Sequence, residues 1–262
     1  MATAFAGQFA PERRVAPGTR LVMIRHGEAV SNAEDLVGGH LGCRGLTERG
    51  RLQVRALAGR LERTGELDGA AALYSSVLRR AVETAEILLP ALGEVTYEAR
   101  CALCERHPGE ADGLTWSEFD ERYGRLLPGD DPERPLSPGG ESWIELLDRA
   151  EDALYSLAEA HPGELVVVSG HGGIIEASLV RFLDLPSHGR LVRLFPENAS
   201  MTEWAFTGSR WWLVRFNDAA HLDPRRPAEP RGLRIAAPLW VRREEPDSGP
   251  RPRRGSRPAQ QA

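Results

Sequence analysis

Apolar residues recur along this chain in two rhythms. Residues 21–24 (Leu-Val-Met-Ile), 70–74 (Ala-Ala-Ala-Leu-Tyr) and 165–168 (Leu-Val-Val-Val) are unbroken apolar runs of strand length, the pattern of strands buried on both faces. A helical rhythm follows each of them. After the first comes a polar, glycine-containing loop to Gly45, then a helix opening at Leu46-Thr47-Glu48-Arg49-Gly50, with Thr47 as N-cap and Leu52, Val54, Leu57 and Leu61 on its apolar side. After the second, Leu78, Ala81, Ala85 and Leu88 recur at helical spacing within residues 77–89, and after the third the pattern spans residues 174–183. Strand, turn and helix in repetition predict an α/β fold with a mainly parallel central sheet.

The intervening segments fill in the remaining elements. Residues 90–105 alternate enough to contain a strand, residues 114–123 read as a short helix capped by Thr115, and the Pro/Gly/Asp-rich stretch 124–140 reads as a loop bordering the site. Residues 141–160 have the period of an amphipathic helix, which Pro162-Gly163 stops. Two apolar runs, 201–206 and 211–216, flank Thr207-Gly208-Ser209-Arg210 and predict a hairpin at the sheet edge. Proline and arginine dominate from residue 223 onward, and the last ~20 residues lack the apolar side chains that would offset chain entropy. The organisation expected is an N-terminal extension (1–19), one folded domain (20–222) and a Pro/Arg-rich C-terminal extension (223–262) with a disordered end, without internal repeats.

Composition narrows the function classes. A chain of 262 residues can bury one substantial core, and a formal net charge of −5 with pI ≈ 5.9 argues against a nucleic acid partner. No run approaches ~18 apolar residues and residues 1–19 lack an apolar signal core, so no membrane partner and no export are expected. Cys43, Cys101 and Cys104 are too few for a disulfide framework, which points to a reducing, cytoplasmic setting. All 33 basic residues are arginine. Without lysine there is no P-loop lysine, no pyridoxal Schiff base and no kinase-type strand lysine, so a phosphate must be held by Arg, His and backbone amides.

Candidate chemistry sits where the predicted strands end. Met23-Ile24-Arg25-His26-Gly27-Glu28 places an arginine and a histidine at the first strand end, Arg80 falls in the first turn of the second helix, and Ser169-Gly170-His171-Gly172-Gly173 follows the third strand. In a parallel sheet these turns lie along one edge, where helix N-termini offer unpaired N–H groups, and Gly172 and Gly173 let the backbone approach an anion. Adjacent helical side chains diverge by ~100°, so one of Arg79 and Arg80 faces the pocket and the other faces water. A tetrahedral dianion suits such a pocket.

In these segments the chain resembles the histidine phosphatase superfamily, with its phosphoglycerate mutases and fructose-2,6-bisphosphatases. Arg25-His26-Gly27-Glu28 with Asn32 is similar to the family signature. Residues 75–85 match its second segment, and Leu103-Cys104-Glu105 followed by Gly109 and Gly113 its third. Pro138-Gly139-Gly140-Glu141-Ser142, the His171 turn and residues 217–222 complete the order. The resemblance covers roughly residues 21–222. It implies a three-layer α/β/α sandwich. It also implies His26 as nucleophile forming a phosphohistidine, Glu105 as proton donor to the leaving alkoxide, and Arg25, Arg80, His171 and Asn32 around the phosphate. Arg80 is favoured over Arg79. Glu110 and Asp112 stand as rival carboxylates, and Glu28 as a brace for the loop.

The expected activity is hydrolysis of small phosphomonoesters, with no metal and no cofactor. Two alternatives stand beside it: mutase-type phosphoryl transfer, and a catalytically silent phospho-ligand binder. Pro108 and Ser31 stand where the mutases carry Tyr and Trp, which favours the phosphatase. The partner expected is a small phosphorylated metabolite, with specificity residing in residues 106–138, including Trp116, Arg122 and Tyr123, and with room for a homodimer. Cys101-x-x-Cys104-x-x-His107 with Cys43 is a weak zinc pattern, read as cysteines flanking a strand. His40, His161, His188 and His221 are expected in loops or on the surface, and His107 near substrate.

Overall fold

Alternate residues of the first strand serve two separate cores. In β1 (Thr19–Arg25), Leu21 and Met23 enter one buried cluster while Val22 and Ile24 enter another, as the two-residue period of a strand covered on both faces requires. The structure is a computed structural model describing residues 18–124, 131–187 and 194–223. The expectations for residues 1–17, for 125–130, for His188 and for the extension beyond 223 fall outside the described residues.

Six strands form one sheet in the order β3-β2-β4-β1-β5-β6: β2 (Ala70–Ser75), β3 (Thr96–Ala99), β4 (Leu165–Gly170), β5 (Met201–Phe206) and β6 (Trp211–Asp218) join β1. β1 to β4 run parallel, β5 runs against β1, and β6 returns against β5 as the predicted edge hairpin. Helices α2 (Glu48–Thr64) and α3 (Arg79–Leu92) cover the face of Val22, Ile24, Leu73 and Val167. Helices α5 (Trp143–Ala160) and α6 (Gly172–Phe182) cover the face of Leu21, Met23, Val166 and Val168. The three-layer sandwich is therefore present. β4 is inserted between β2 and β1, so adjacent strands β1 and β4 send their helices to opposite faces, the arrangement that opens a crevice at the carboxyl ends of a parallel sheet. The register aligns those ends: Arg25 pairs with Gly170, and Ser75 with Ser169.

Local signals set most element boundaries. Thr47, Thr115 and Ser142 cap α2, α4 (Trp116–Tyr123) and α5, each side-chain oxygen accepting from the N–H three residues on. Three expectations need correction. Leu52 is 57% exposed, because it lies ~160° around α2 from Val54 and faces water. Helix α3 runs through Pro90 to Leu92, since the missing amide falls in the last turn. The loop after β1 holds a one-turn helix, α1 (Val30–Ala33), closed by the Asn32 carboxamide accepting from the Ala29 amide at 3.0 Å. No helix among the described residues is long and apolar enough to cross a membrane.

Candidate active site

The three aligned strand ends bring Arg25, His26, Arg80 and His171 together. His26 is buried, with Nδ1 2.6 Å from the Gly27 carbonyl oxygen. A carbonyl can only accept, so Nδ1 carries the hydrogen and Nε2 keeps its lone pair, which accepts from Arg80 Nε at 3.1 Å. The Arg80 guanidinium also donates to Gly38 O at 2.8 Å, and Arg25 Nη1 donates to Pro196 O at 2.5 Å. The His171 ring stands 5.3 Å from the His26 ring, inclined at 62°. Arg79, one residue from Arg80, points outward to an ion pair with Glu83 at 2.7 Å, as the 100° step dictates.

Three buried polar atoms of this group, Arg25 Nε and both ring nitrogens of His171, find no hydrogen-bond partner among the described residues. Buried groups of this kind are normally satisfied. Converging here with a second guanidinium, they form a cradle for an oxyanion. Burial, followed by the positive fields of Arg80 and Arg25, holds the pKa of His26 well below the ordinary imidazole value, against the opposing bond to Gly27. His171 is shifted the same way by burial and then by Arg80, His26 and Arg25. Both rings are neutral in the free protein, so the positive charge resides on the two arginines.

Glu105 lies across the N-terminus of α6. Its Oε2 accepts from Gly173 N at 3.0 Å and its Oε1 from Arg106 N at 3.0 Å. Gly173, expected with Gly172 to let the backbone approach an anion, has its own N–H taken by the Glu105 carboxyl group, whose Oε2 fills the acceptor place at the helix N-terminus. Gly172 remains beside the cradle, where a Cβ would lie 3.6 Å from Arg25 Nε. The rivals are otherwise occupied or exposed to solvent. Asp112 accepts from the amides of Gly39, Leu41 and Gly42 at 2.7–2.9 Å, and Glu110 is exposed. Glu28 braces the loop by accepting from Thr47 Oγ1 at 2.8 Å.

Asn32 is exposed at the rim, its Oδ1 engaged by Ala29 N and lying 3.5 Å from Asn198 Nδ2. Sequence reasoning missed several supporting residues. Asn198 donates to His26 O at 3.0 Å, and the Phe195 ring lies 4.8 Å from the Arg25 guanidinium. Arg149 donates to the carbonyls of Ala102, Cys104 and Glu105 at 2.9–3.3 Å and grips Glu141 with two bonds at 2.7–2.8 Å, fixing the segment that carries Glu105. The only sequence signal for it was an arginine nearly two turns into a helix whose other face is apolar. Among the remaining histidines, His161 bonds the Tyr74 hydroxyl at 2.9 Å. His221 is partly buried, its pKa lowered to about 4 by burial and then by Arg60. Trp116 is exposed and packs edge-on against Phe119 at 5.3 Å.

Fold and site together define a class: an α/β enzyme that gathers two histidines, two arginines and a carboxylate at the ends of parallel strands. The sequence profile of the histidine phosphatase superfamily (branch 1) matches residues 21–219, and the chain belongs to that superfamily. A metal-independent phosphoserine phosphatase of Arabidopsis thaliana is 34% identical over 214 residues, spanning 78% of this chain and 84% of the relative. A phosphoglycerate mutase-like protein of the same plant is 32% identical over 207 residues, spanning 78% and 86%. Among solved structures, Bacillus stearothermophilus YhfR superposes with a TM-score of 0.70 at 27% identity, over 78% of this chain and 100% of its own. A mycobacterial glucosyl-3-phosphoglycerate phosphatase in complex with VO3 gives 0.65 at 32% identity, over 76% and 98%. The chain is a histidine phosphatase, in the class of phosphoric monoester hydrolases.

Proposed function

We propose that this chain hydrolyses small phosphomonoesters through a covalent phosphohistidine at His26, without a metal ion in the phosphoryl-transfer steps. The observation that carries the reading is the lone pair on His26 Nε2, fixed by the Nδ1–Gly27 bond and directed to Arg80 in a buried group that also holds the unpartnered Arg25 Nε and His171 ring nitrogens. In the first step that lone pair attacks phosphorus while Arg80 transfers its hydrogen bond from Nε2 to a phosphoryl oxygen. Arg25, Arg80 and His171 hold the equatorial oxygens and offset their charge, which would otherwise repel the nucleophile. The P–O ester bond breaks and the leaving oxygen takes a proton from Glu105, which enters this step as the carboxylic acid and leaves it as the carboxylate. In the second step water attacks the phosphohistidine, the carboxylate of Glu105 accepts its proton, and phosphate leaves with His26 neutral again.

Asn32 completes the pocket in this reading, its Oδ1 held by Ala29 so that its NH2 turns to the ligand. Phosphoserine-like and phosphoglycerate-like monoesters head the substrate classes, on the strength of the plant and mycobacterial relatives. The test is release of inorganic phosphate from a panel of phosphorylated metabolites and from p-nitrophenyl phosphate, with EDTA present. Turnover that survives EDTA and disappears in His26→Ala is the expected result. Turnover retained by His26→Ala, or phosphoryl exchange between glycerate isomers exceeding phosphate release, would overturn it.

A further inference from the structure

Directly beside the acid-bearing segment the fold assembles a second group of chemically competent side chains. Cys101 opens a 3-10 turn (Cys101–Leu103), Cys104 follows it, His107 lies three residues further on, and His40 arrives from the loop after α1. One ligand atom from each of these four residues lies within 4.8 Å of all the others. Cys101 Sγ and His107 Nε2 are 3.6 Å apart, about the S···N edge of a tetrahedron whose zinc–sulfur and zinc–nitrogen bonds are about 2.3 and 2.0 Å. The sulfurs of Cys101 and Cys104 share that 4.8 Å limit, and the His40 and His107 ring centres are 6.3 Å apart. Closing the widest gap takes about 1–1.5 Å, which side-chain rotation of exposed His40 and Cys101 supplies.

The backbone on both sides of the group is already fixed. Asp112 ties down the amides of Gly39, Leu41 and Gly42, and so the loop that carries His40. Arg149 holds the carbonyls of Ala102 and Cys104, and so the cysteine pair. Around the donors stand groups that suit a metal. Ser76 Oγ donates to Cys104 Sγ at 3.3 Å, and Glu141 Oε2 lies 4.0 Å from His107 Nδ1, on the side where a carboxylate orients a ligating imidazole. Two sulfurs and two imidazoles select a borderline-soft cation and disfavour magnesium or calcium, which want oxygen. Cys43 takes no part: its sulfur accepts from Arg80 N at 3.4 Å, and His40 stands in the place the sequence had offered to it.

We propose that His40, Cys101, Cys104 and His107 form a tetrahedral Zn2+ site that clamps the His40 loop to the segment bearing Glu105. The ion contributes stability, and none of its four ligands belongs to the phosphate cradle. The test takes the full-length protein, reduced with a phosphine, stripped with chelator and then titrated anaerobically with Co2+ and Zn2+. Expected are one Co2+ per chain with tetrahedral d–d bands and a thiolate-to-cobalt charge-transfer band, displacement of Co2+ by Zn2+, and a thermal midpoint that rises with Zn2+.

Cys101→Ser and His40→Ala, both at exposed positions, should each weaken Zn2+ binding by at least ~100-fold with an unchanged circular dichroism spectrum, whereas Cys43→Ser should bind as the unaltered chain does. No uptake by the reduced protein, a cobalt spectrum without charge transfer, or undiminished binding in both ligand variants would overturn the site. These readouts are independent of phosphatase activity, so they stand or fall apart from the catalytic reading.

Discussion

At His26, the proposed nucleophile, a single backbone atom decides how the ring can react. The Gly27 carbonyl 2.6 Å from Nδ1 selects the tautomer, and burial with two arginines keeps the ring uncharged. Nitrogen NMR of the labelled protein should therefore show His26 neutral and protonated at Nδ1 at pH 6; a charged ring at that pH would contradict the electrostatics. Glu105→Gln should slow alkyl phosphates by ~10²–10⁴-fold and activated aryl phosphates far less, because a good leaving group needs little protonation. Equal losses on both would remove Glu105 from the acid role. The sequence marked Arg25, His26 and His171 at strand ends, and only the family resemblance favoured Arg80 over Arg79. It could not disclose Asn198, Arg149 or Pro196, which act on backbone groups or through them, at separations of 44 to 172 residues that no local pattern encodes.

Elements meet at this site through glycines, and two of them are testable. A Cβ on Gly173, at the start of α6, would overlap Glu105 Oε1. Gly173→Ala should leave the thermal midpoint nearly unchanged, since alanine suits a helix, while lowering kcat on alkyl phosphates by displacing the acid. A fall on alkyl and aryl substrates alike would point to damage elsewhere. Gly50, in the first turn of α2, lies against backbone: a Cβ there would overlap Glu28 O, which cannot swing aside as a side chain does. Gly50→Ala should therefore destabilise the fold by ~1–3 kcal/mol in urea unfolding, and a neutral result would show that α2 can slide. Element types were legible because each periodic run ends in its own punctuation, as with Thr47, Thr115 and Pro162-Gly163. Leu52 and Pro90 misled for local reasons. An apolar residue need not lie on the apolar face, and a proline in a final turn removes little.

The molecule as a whole should be stable near neutrality and lose stability on acidification in two stages. His26, His171 and His221 have folded pKa values below their unfolded ones, so the unfolded chain binds protons first as pH falls below ~6.5, each group withdrawing about 1.4 kcal/mol per pH unit until it titrates in the fold. Farther down lies an ion network joining α2 to β6, in which Arg60 pairs with Glu66 and Asp218, and Arg215 with Glu66 and Glu203. Burial pushes Asp218 and Glu66 up, but their arginine partners, with the Ala220 amide at Asp218, outweigh it and hold both below the usual carboxylate values. Their contribution is present above ~4.5 and lost as pH falls through the folded values. Urea unfolding from pH 8 to 4 should show a plateau above ~6.5 and a decline below it; a maximum near pH 5 would contradict the histidine assignments. The most direct test of the catalytic claim is rapid acid-free quenching during turnover of a radiolabelled phosphomonoester, followed by peptide mapping. The account predicts an acid-labile, base-stable label on the peptide carrying His26, absent in His26→Ala, whereas label on another residue, or turnover without any label, would contradict it.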